Sequence, residues 1–284
     1  MEFGNNQGSS NVEDRRGLGP VGIGGGIGIG GIAIVVIGAL LGVDPSTMLN
    51  IVQGTSSGPS TQQVEQKAAH GDPTDATGHF ASQVLLSTEK VWGQIFQQSG
   101  KTYRPPTLVL YDRLTPTACG GGQSAMGPFY CPNDRKVYLD LSFFQEMDRR
   151  FHVAGQFPDA YVIAHEVGHH VQNLTGAFAR MEQGGRGAMH GANSASVRME
   201  LQADCYAGVW AKHAPNVKIS DQDIQQALQA ASAIGDDKLQ QQSQGRVVPD
   251  SFTHGSSAQR VRWFRRGIES GDPGQCNTFD ASAL

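Results

Sequence analysis

His165 and His169, four positions apart with Glu166 directly after the first, are the residues of this chain with the clearest capacity for chemistry. On an α-helix that spacing stacks both imidazoles on one face, one turn apart, where they can grip a single Zn²⁺. Glu166 lies about 100° round the same helix, so it shares the metal poorly but can reach a water bound to it. A catalytic zinc takes three protein ligands and keeps its fourth position open. Glu200 is the candidate for the third, because Glu200 and Asp204 fall at i and i+4 on an otherwise mostly apolar helix that opens at an Asn193 or Ser194 cap. Unpaired carboxylates on the inner side of such a helix cost several kcal/mol, and zinc on Glu200 with a ligand histidine's far N–H on Asp204 would satisfy both. A solvated helix face or a salt bridge to Arg198 is the plainer account of the two acids.

A zinc in that site would bring the pKa of its water towards about 7 and polarise a scissile carbonyl, while Glu166 carries the proton from the water to the leaving amine. The developing oxyanion needs a further donor, for which His254, Tyr206, His170 or a tyrosine near the sheet edge are candidates. His254 is preferred, as a loop histidine in Thr253-His254-Gly255-Ser256 just ahead of a helical pattern, and a surface or capping histidine is the alternative. His170 is at i+5 from the first ligand, points elsewhere and reads as structural.

Several elements must position these groups. Apolar Ala160 to Ala164 puts the histidine pair in mid-helix, and Thr175-Gly176 stops that helix. A glycine-rich loop around Gly184, Gly185, Gly187 and Gly191 leads to the Glu200 helix. Phe80, Val84, Leu85, Val91, Trp92, Ile95 and Phe96 repeat at helical spacing up to Gly100. Ser142 with Gln145 and Ser220 with Asp223 read as capping boxes, the second opening a helix that ends near Gly235. Ala258 to Gly267 forms a last helical pattern whose Arg260, Arg262, Arg265 and Arg266 read as a solvated basic face or an anion site. Thr107–Tyr111 and Lys136–Leu141 read as neighbouring strands.

The 284 residues carry a net charge of −4, which provides no basic footprint for nucleic acid. From Val21 to Val43 no residue is charged, and as a helix that stretch would span about 35 Å, enough for a bilayer core. A secretory signal peptide is the rival reading, but no small-residue cleavage site stands clearly before Asp44. The Gly22, Gly26 and Gly30 spacing would permit self-association between such helices. Arg15-Arg16 ahead of the span, with no Lys or Arg after it before Lys67, predicts a cytoplasmic N-terminus and a domain outside the cytoplasmic membrane. Cysteine usage is compatible with that oxidising side: Cys119 with Cys131 and Cys205 with Cys276 is the preferred of three pairings, a buried free Cys205 being the alternative. Asp44 to about Pro73 is rich in Ser, Thr, Gln and Gly and reads as a flexible tether.

The His165-Glu166-x-x-His169 helix followed by Glu200-x-x-x-Asp204 resembles the zinc metallopeptidases whose third ligand is a glutamate. More narrowly the chain resembles the bacterial neutral zinc metallopeptidase family of single-pass membrane proteins, through Gly122–Pro132, Val137–Phe144, both zinc motifs and Pro249–Ser256. The resemblance implies an α+β, mainly helical, zincin-like domain with a small sheet behind one transmembrane helix. It implies one Zn²⁺ on His165, His169 and Glu200, with Glu166 as base and acid and Asp204 orienting a ligand. It also implies an antiparallel edge strand at Lys136–Leu141 that binds an extended peptide or protein substrate. The expected organisation is a cytoplasmic tail at 1–20, a transmembrane helix at 21–43, a linker at 44–74 and a zinc metallopeptidase domain at 75–284. A non-catalytic zinc-stabilised envelope scaffold and a zinc amidase acting on a cell-wall amide are the competing functions.

Overall fold

The computed structural model describes residues 1–4, 6–18, 61–153, 155–183, 189–215, 217–282 and 284. In chain order its elements are strands β1 (Glu2–Phe3) and β2 (Val12–Asp14), helix α1 (Thr61–Glu65), strand β3 (Ala69–His70), helix α2 (Ala76–Gln98), and strands β4 (Thr107–Leu110), β5 (Leu114–Thr117), β6 (Gly120–Gln123), β7 (Phe129–Cys131) and β8 (Lys136–Leu139). Helices α3 (Ser142–Phe151), α4 (Gln156–Thr175), α5 (Ala177–Gln183) and α6 (Ala195–His213) follow, then strand β9 (Val217–Lys218) and helices α7 (Asp221–Ala233), α8 (Asp236–Gln244) and α9 (Ser257–Ser270). This is the mainly helical α+β architecture that the sequence predicts. Two compact units divide it, one of Gln7–Leu86 and Pro105–Glu146, the other of Met1–Asn6, Ser87–Arg104 and Met147–Leu284.

The first unit is built on a five-stranded sheet of order β3-β2-β4-β8-β7. β2, β4 and β8 run parallel and the two outer pairings are antiparallel. Val109, Tyr111, Cys119, Met126, Phe129, Cys131 and Tyr138 form its core. β8 is therefore an internal strand, and the expected peptide-binding edge at Lys136–Leu141 is corrected. The Cys119–Cys131 disulfide and the stacking of Phe129 on Tyr138 lay β7 over what would have been that edge.

The N-terminal residues bring a second correction. Val12–Asp14 is an inner strand, and neither Met1–Leu18 nor the stretch from Thr61 onward behaves as a tail or tether over its described part. Val12 is buried in the sheet, Glu13 is ion-paired to Arg15 and Lys136, and Arg16 is paired with Asp14 and Asp75. These contacts, with Val64 of α1 buried, supply the apolar and ionic anchoring that the polar composition of the stretch from Thr61 to Pro73 conceals. The predicted span at 21–43 lies outside the described residues, among which no helix is long and apolar enough to cross a membrane.

In the second unit α4, α6 and α9 form the centre. Gly176 in the left-handed conformation ends α4, Ser194 caps α6 through the Val197 N–H, and Ser256 with Gln259 makes a capping box for α9. The Ser220–Asp223 box opens α7 as predicted, and a separate helix, α8, begins just beyond Gly235. Glycines decide how closely the three central helices approach. A Cβ on Gly267 would lie 2.0 Å from the Cys205 carbonyl oxygen, and one on Gly208 would lie 2.2 Å from that of Phe264. A Cβ on Gly168, between the two motif histidines, would stand 3.0 Å from the Ala203 carbonyl. The Cys205–Cys276 disulfide then ties the chain after α9 to α6.

Gly267→Ala forces two backbones apart and is expected to cost on the order of 1–3 kcal/mol. Gly93→Ala, in α2 with nothing within 4 Å of the added carbon, is expected to be neutral or stabilising by up to about 1 kcal/mol. Urea midpoints of the two variants check both.

Candidate metal centre

α4 and α6 bring together the three residues that the sequence singled out as ligands. One ligand atom from each of His165, His169 and Glu200 lies within 4.8 Å of the other two. His165 Nε2 is 3.2 Å from Glu200 Oε2, and His169 Nε2 is 3.5 Å from Glu200 Oε1. Tetrahedral zinc with bonds of about 2.0–2.1 Å separates its ligand atoms by roughly 3.4 Å. The two imidazoles, with ring planes at 90°, present Nε2 to the carboxylate while their Nδ1 atoms are engaged elsewhere. The donor set and its spacing thus fit a zinc ion.

Behind His165 the Asp204 carboxylate is fully buried and saturated with donors. Its Oδ1 accepts from His165 Nδ1 at 2.8 Å and from the Tyr161 hydroxyl at 2.5 Å. Arg260 closes the group with a two-pronged contact, Nε to Oδ2 and Nη2 to Oδ1, both at 2.8 Å. Burial opposes ionisation of Asp204, yet Arg260 and His165 outweigh it and hold the carboxyl at about 2. Burial likewise works against a charged His165, but Asp204 and Glu200 raise it to about 10. Glu200 is ionised for the same reason: burial is overcome by His169, His254 and His165.

Glu166 is buried next to the set without belonging to it. Burial raises its pKa, partly offset by the two histidines. His254 is buried as well, and its loop is fixed by one residue: Asp236 Oδ2 accepts the backbone N–H groups of Thr253, His254 and Gly255 at 2.7, 2.7 and 3.0 Å. The His254 ring has Nδ1 at 3.4 Å from Asp236 Oδ1 and 3.0 Å from the Thr253 hydroxyl. Glu200's charge acts on it directly. The other donors considered serve elsewhere: His170 Nε2 bonds the Arg104 carbonyl, and the Tyr206 ring packs edge-on against Trp92.

Of the residues that the sequence singles out, the structure groups His165, His169 and Glu200, sets Asp204 against His165 and buries Glu166 and His254. Arg260, Tyr161, Gln172 and Asp236 are partners that the sequence reading does not assign to the site. For Arg260 the signal was available. Arg260, Trp263, Phe264 and Gly267 recur at i, i+3, i+4 and i+7, so this arginine shares the buried face and does not belong to the solvated basic one.

A buried glutamate beside a two-histidine, one-glutamate metal set on crossing helices defines the zinc-peptidase type of centre. The sequence pattern of the family described as "Putative neutral zinc metallopeptidase" matches residues 1–279, and the chain belongs to that family. It is 48% identical to "Uncharacterized protein YpfJ" of Escherichia coli (strain K12), over 96% of this chain and 97% of that protein. It is 46% identical to "Uncharacterized protein Mb2605" of Mycobacterium bovis, over 70% of this chain and 69% of that one. No solved structure matches it.

Removing Arg260 strands a buried carboxylate. Arg260→Met is expected to lower stability by about 3–5 kcal/mol, read from urea unfolding. Asp204→Asn is expected to weaken zinc about 10- to 100-fold, read by chelator competition.

Proposed function

We propose that this protein hydrolyses peptide bonds, with one Zn²⁺ held by His165, His169 and Glu200. The observation that carries the reading is Glu166, a buried carboxylate next to the metal set and outside it. A purely structural zinc site, closed by four ligands, has no use for such a group, which argues against the scaffold reading. When bound, the metal supplies the Lewis acidity that polarises the scissile carbonyl and acidifies a water. Glu166 takes that water's proton and delivers it to the departing amine, and its raised pKa brings it closer to a proton carrier's working range. His254 donates to the oxyanion. Its burial disfavours the charged form, but Glu200 and Asp236 more than compensate and raise its pKa, which supports a donating imidazolium.

The test is zinc content together with cleavage of a random-sequence peptide library by the full-length chain. Wild type and Glu166→Gln are both expected to hold one zinc, with cleavage reduced about 10²- to 10⁴-fold in the variant. Undiminished cleavage by Glu166→Gln refutes the mechanism. Bound zinc without peptide cleavage by wild type turns the weight to the scaffold or to a cell-wall amide as substrate. His254→Ala is expected to lower kcat about 10²- to 10³-fold with little change in KM.

We also propose that the site works on the outer side of a bacterial cytoplasmic membrane, with Met1–Leu18 on that same side. Two disulfides support the oxidising compartment. The shared placement is supported by β2, which pairs with both β3 and β4. Arg15 and Arg16 are consumed in pairs with Glu13, Asp14 and Asp75, so they no longer serve as orienting charges. In spheroplasts, a membrane-impermeant maleimide is expected to label Gly4→Cys and Glu269→Cys alike, both sites being exposed. Labelling of Glu269→Cys alone restores a cytoplasmic N-terminus.

A further inference from the structure

The second ligand histidine is positioned by a chain of amides with a fixed direction. His169 Nδ1 is 2.8 Å from Gln172 Oε1. Gln172 Nε2 donates to the Met199 carbonyl at 2.7 Å and to Gln202 Oε1 at 3.1 Å. Gln202 Nε2 donates in turn to the Cys276 carbonyl at 2.9 Å. Both glutamines are buried, and Cys276, bridged to Cys205, is fully so.

The direction is fixed twice, by the Met199 carbonyl acting on Gln172 directly and by the Cys276 carbonyl acting through Gln202. A backbone carbonyl only accepts, so Cys276 obliges Gln202 to present its NH₂ there and to turn its oxygen to Gln172. Gln172 must then aim its NH₂ at Gln202 and at the Met199 carbonyl, which leaves only its oxygen for His169. An oxygen facing Nδ1 requires a proton on Nδ1, and a neutral imidazole with that proton keeps its Nε2 lone pair free. Nε2 is the atom facing Glu200. Reversing either amide would set NH₂ against NH₂ or carbonyl against carbonyl in a dry interior, at a cost of roughly 1–3 kcal/mol for each unsatisfied group.

We infer that Gln172 is a positioning residue that locks His169 in the Nδ1–H tautomer, the direction of its amide being fixed by the Met199 carbonyl and a second time by Gln202, which the Cys276 carbonyl orients. The functional weight of the inference rests on the zinc reading above, whereas the tautomer itself does not require the metal. His165 obtains the same outcome from a carboxylate, and His169 obtains it from a neutral relay that adds no charge beside Glu200.

The experiment uses the full-length protein and two readouts. The first is the ¹⁵N NMR signature of the His169 imidazole in metal-free protein at alkaline pH. The second is zinc affinity by chelator competition. Wild type is expected to show the Nδ1–H form. Gln172→Met fills the same space without hydrogen bonds, and it is expected to populate the Nε2–H form and to weaken zinc about tenfold. Gln172→Glu, which keeps an acceptor towards His169 Nδ1, is expected to retain the wild-type tautomer and most of the affinity. A change of shape alone would not produce that rescue. An unchanged tautomer in a folded Gln172→Met overturns the inference. If wild type bound no zinc, the zinc reading would fail, and the tautomer of metal-free Gln172→Met would still decide the relay.

Discussion

A carboxylate with no access to water has to be ionised for the metal centre to exist, and Arg260 is what makes Asp204 so. Uncompensated, a buried charge of this kind costs several kcal/mol, and the carboxyl would take up a proton. A protonated Asp204 could no longer accept from His165, Tyr161 and Arg260 together. The requirement reaches back into the backbone. Arg260 meets Asp204 only if α9 lies against α6 with almost no gap, and the facing glycines Gly208 and Gly267 permit that. The helix that carries no candidate ligand is in this sense as much a part of the candidate centre as the two that do.

The two imidazoles are oriented by different means, and the difference is electrostatic. Asp204 gives His165 a full negative charge, returned by Arg260 through the same carboxylate. His169 receives a neutral amide oxygen from Gln172. A second carboxylate in that position would have stood near Glu200 with no arginine to balance it, raising the cost of ionising both. The arrangement places Glu200, the carboxylate that both imidazoles face, where a divalent cation would be welcomed. Glu166, made more basic by burial, stands outside that ligand set.

Local patterns in the chain disclosed much of this. The i, i+4 spacing of His165 and His169 and of Glu200 and Asp204 is a property of single helices, and Ser194, Gly176 and the Ser220–Asp223 box end or begin those helices by short-range hydrogen bonds. Both disulfides also follow the pairing that cysteine spacing favoured. What stayed hidden is long-range. Gln172 and Gln202 look like ordinary helical glutamines until α4 and α6 are side by side, and Asp236 reveals its role only where Thr253, His254 and Gly255 turn three N–H groups towards it. The four arginines of α9 do not form one face, because the spacing of Arg260 from Trp263, Phe264 and Gly267 separates it from Arg262, Arg265 and Arg266. β8 was misread because a strand's own residues do not say whether a neighbour covers its edge.

The N-terminal segment shows how composition can mislead about connectivity. An uncharged run at 21–43 invites the view that everything ahead of it is a tail, and Asn11-Val12-Glu13-Asp14-Arg15-Arg16, with a single apolar residue, shows no strand-like alternation that would correct it. Three residues of β2 bury little apolar surface, so register must come from ions. Glu13 accepts from Arg15 at 2.7 Å and from Lys136 at 2.7 Å, and Lys136 reaches Glu65 at 2.5 Å. Burial works against ionisation of Glu13, and those two cations nevertheless lower its pKa. Buried ionic networks are poor sources of net stability and good sources of specificity, because a strand displaced by one residue would bury the same charges without partners. β2 also joins β4 in parallel across a long intervening stretch of chain, so its insertion closes a large loop and is entropically late. The sheet is therefore completed only when residues before 19 meet residues after 60, and the ion network of Glu13 is what rewards them for meeting.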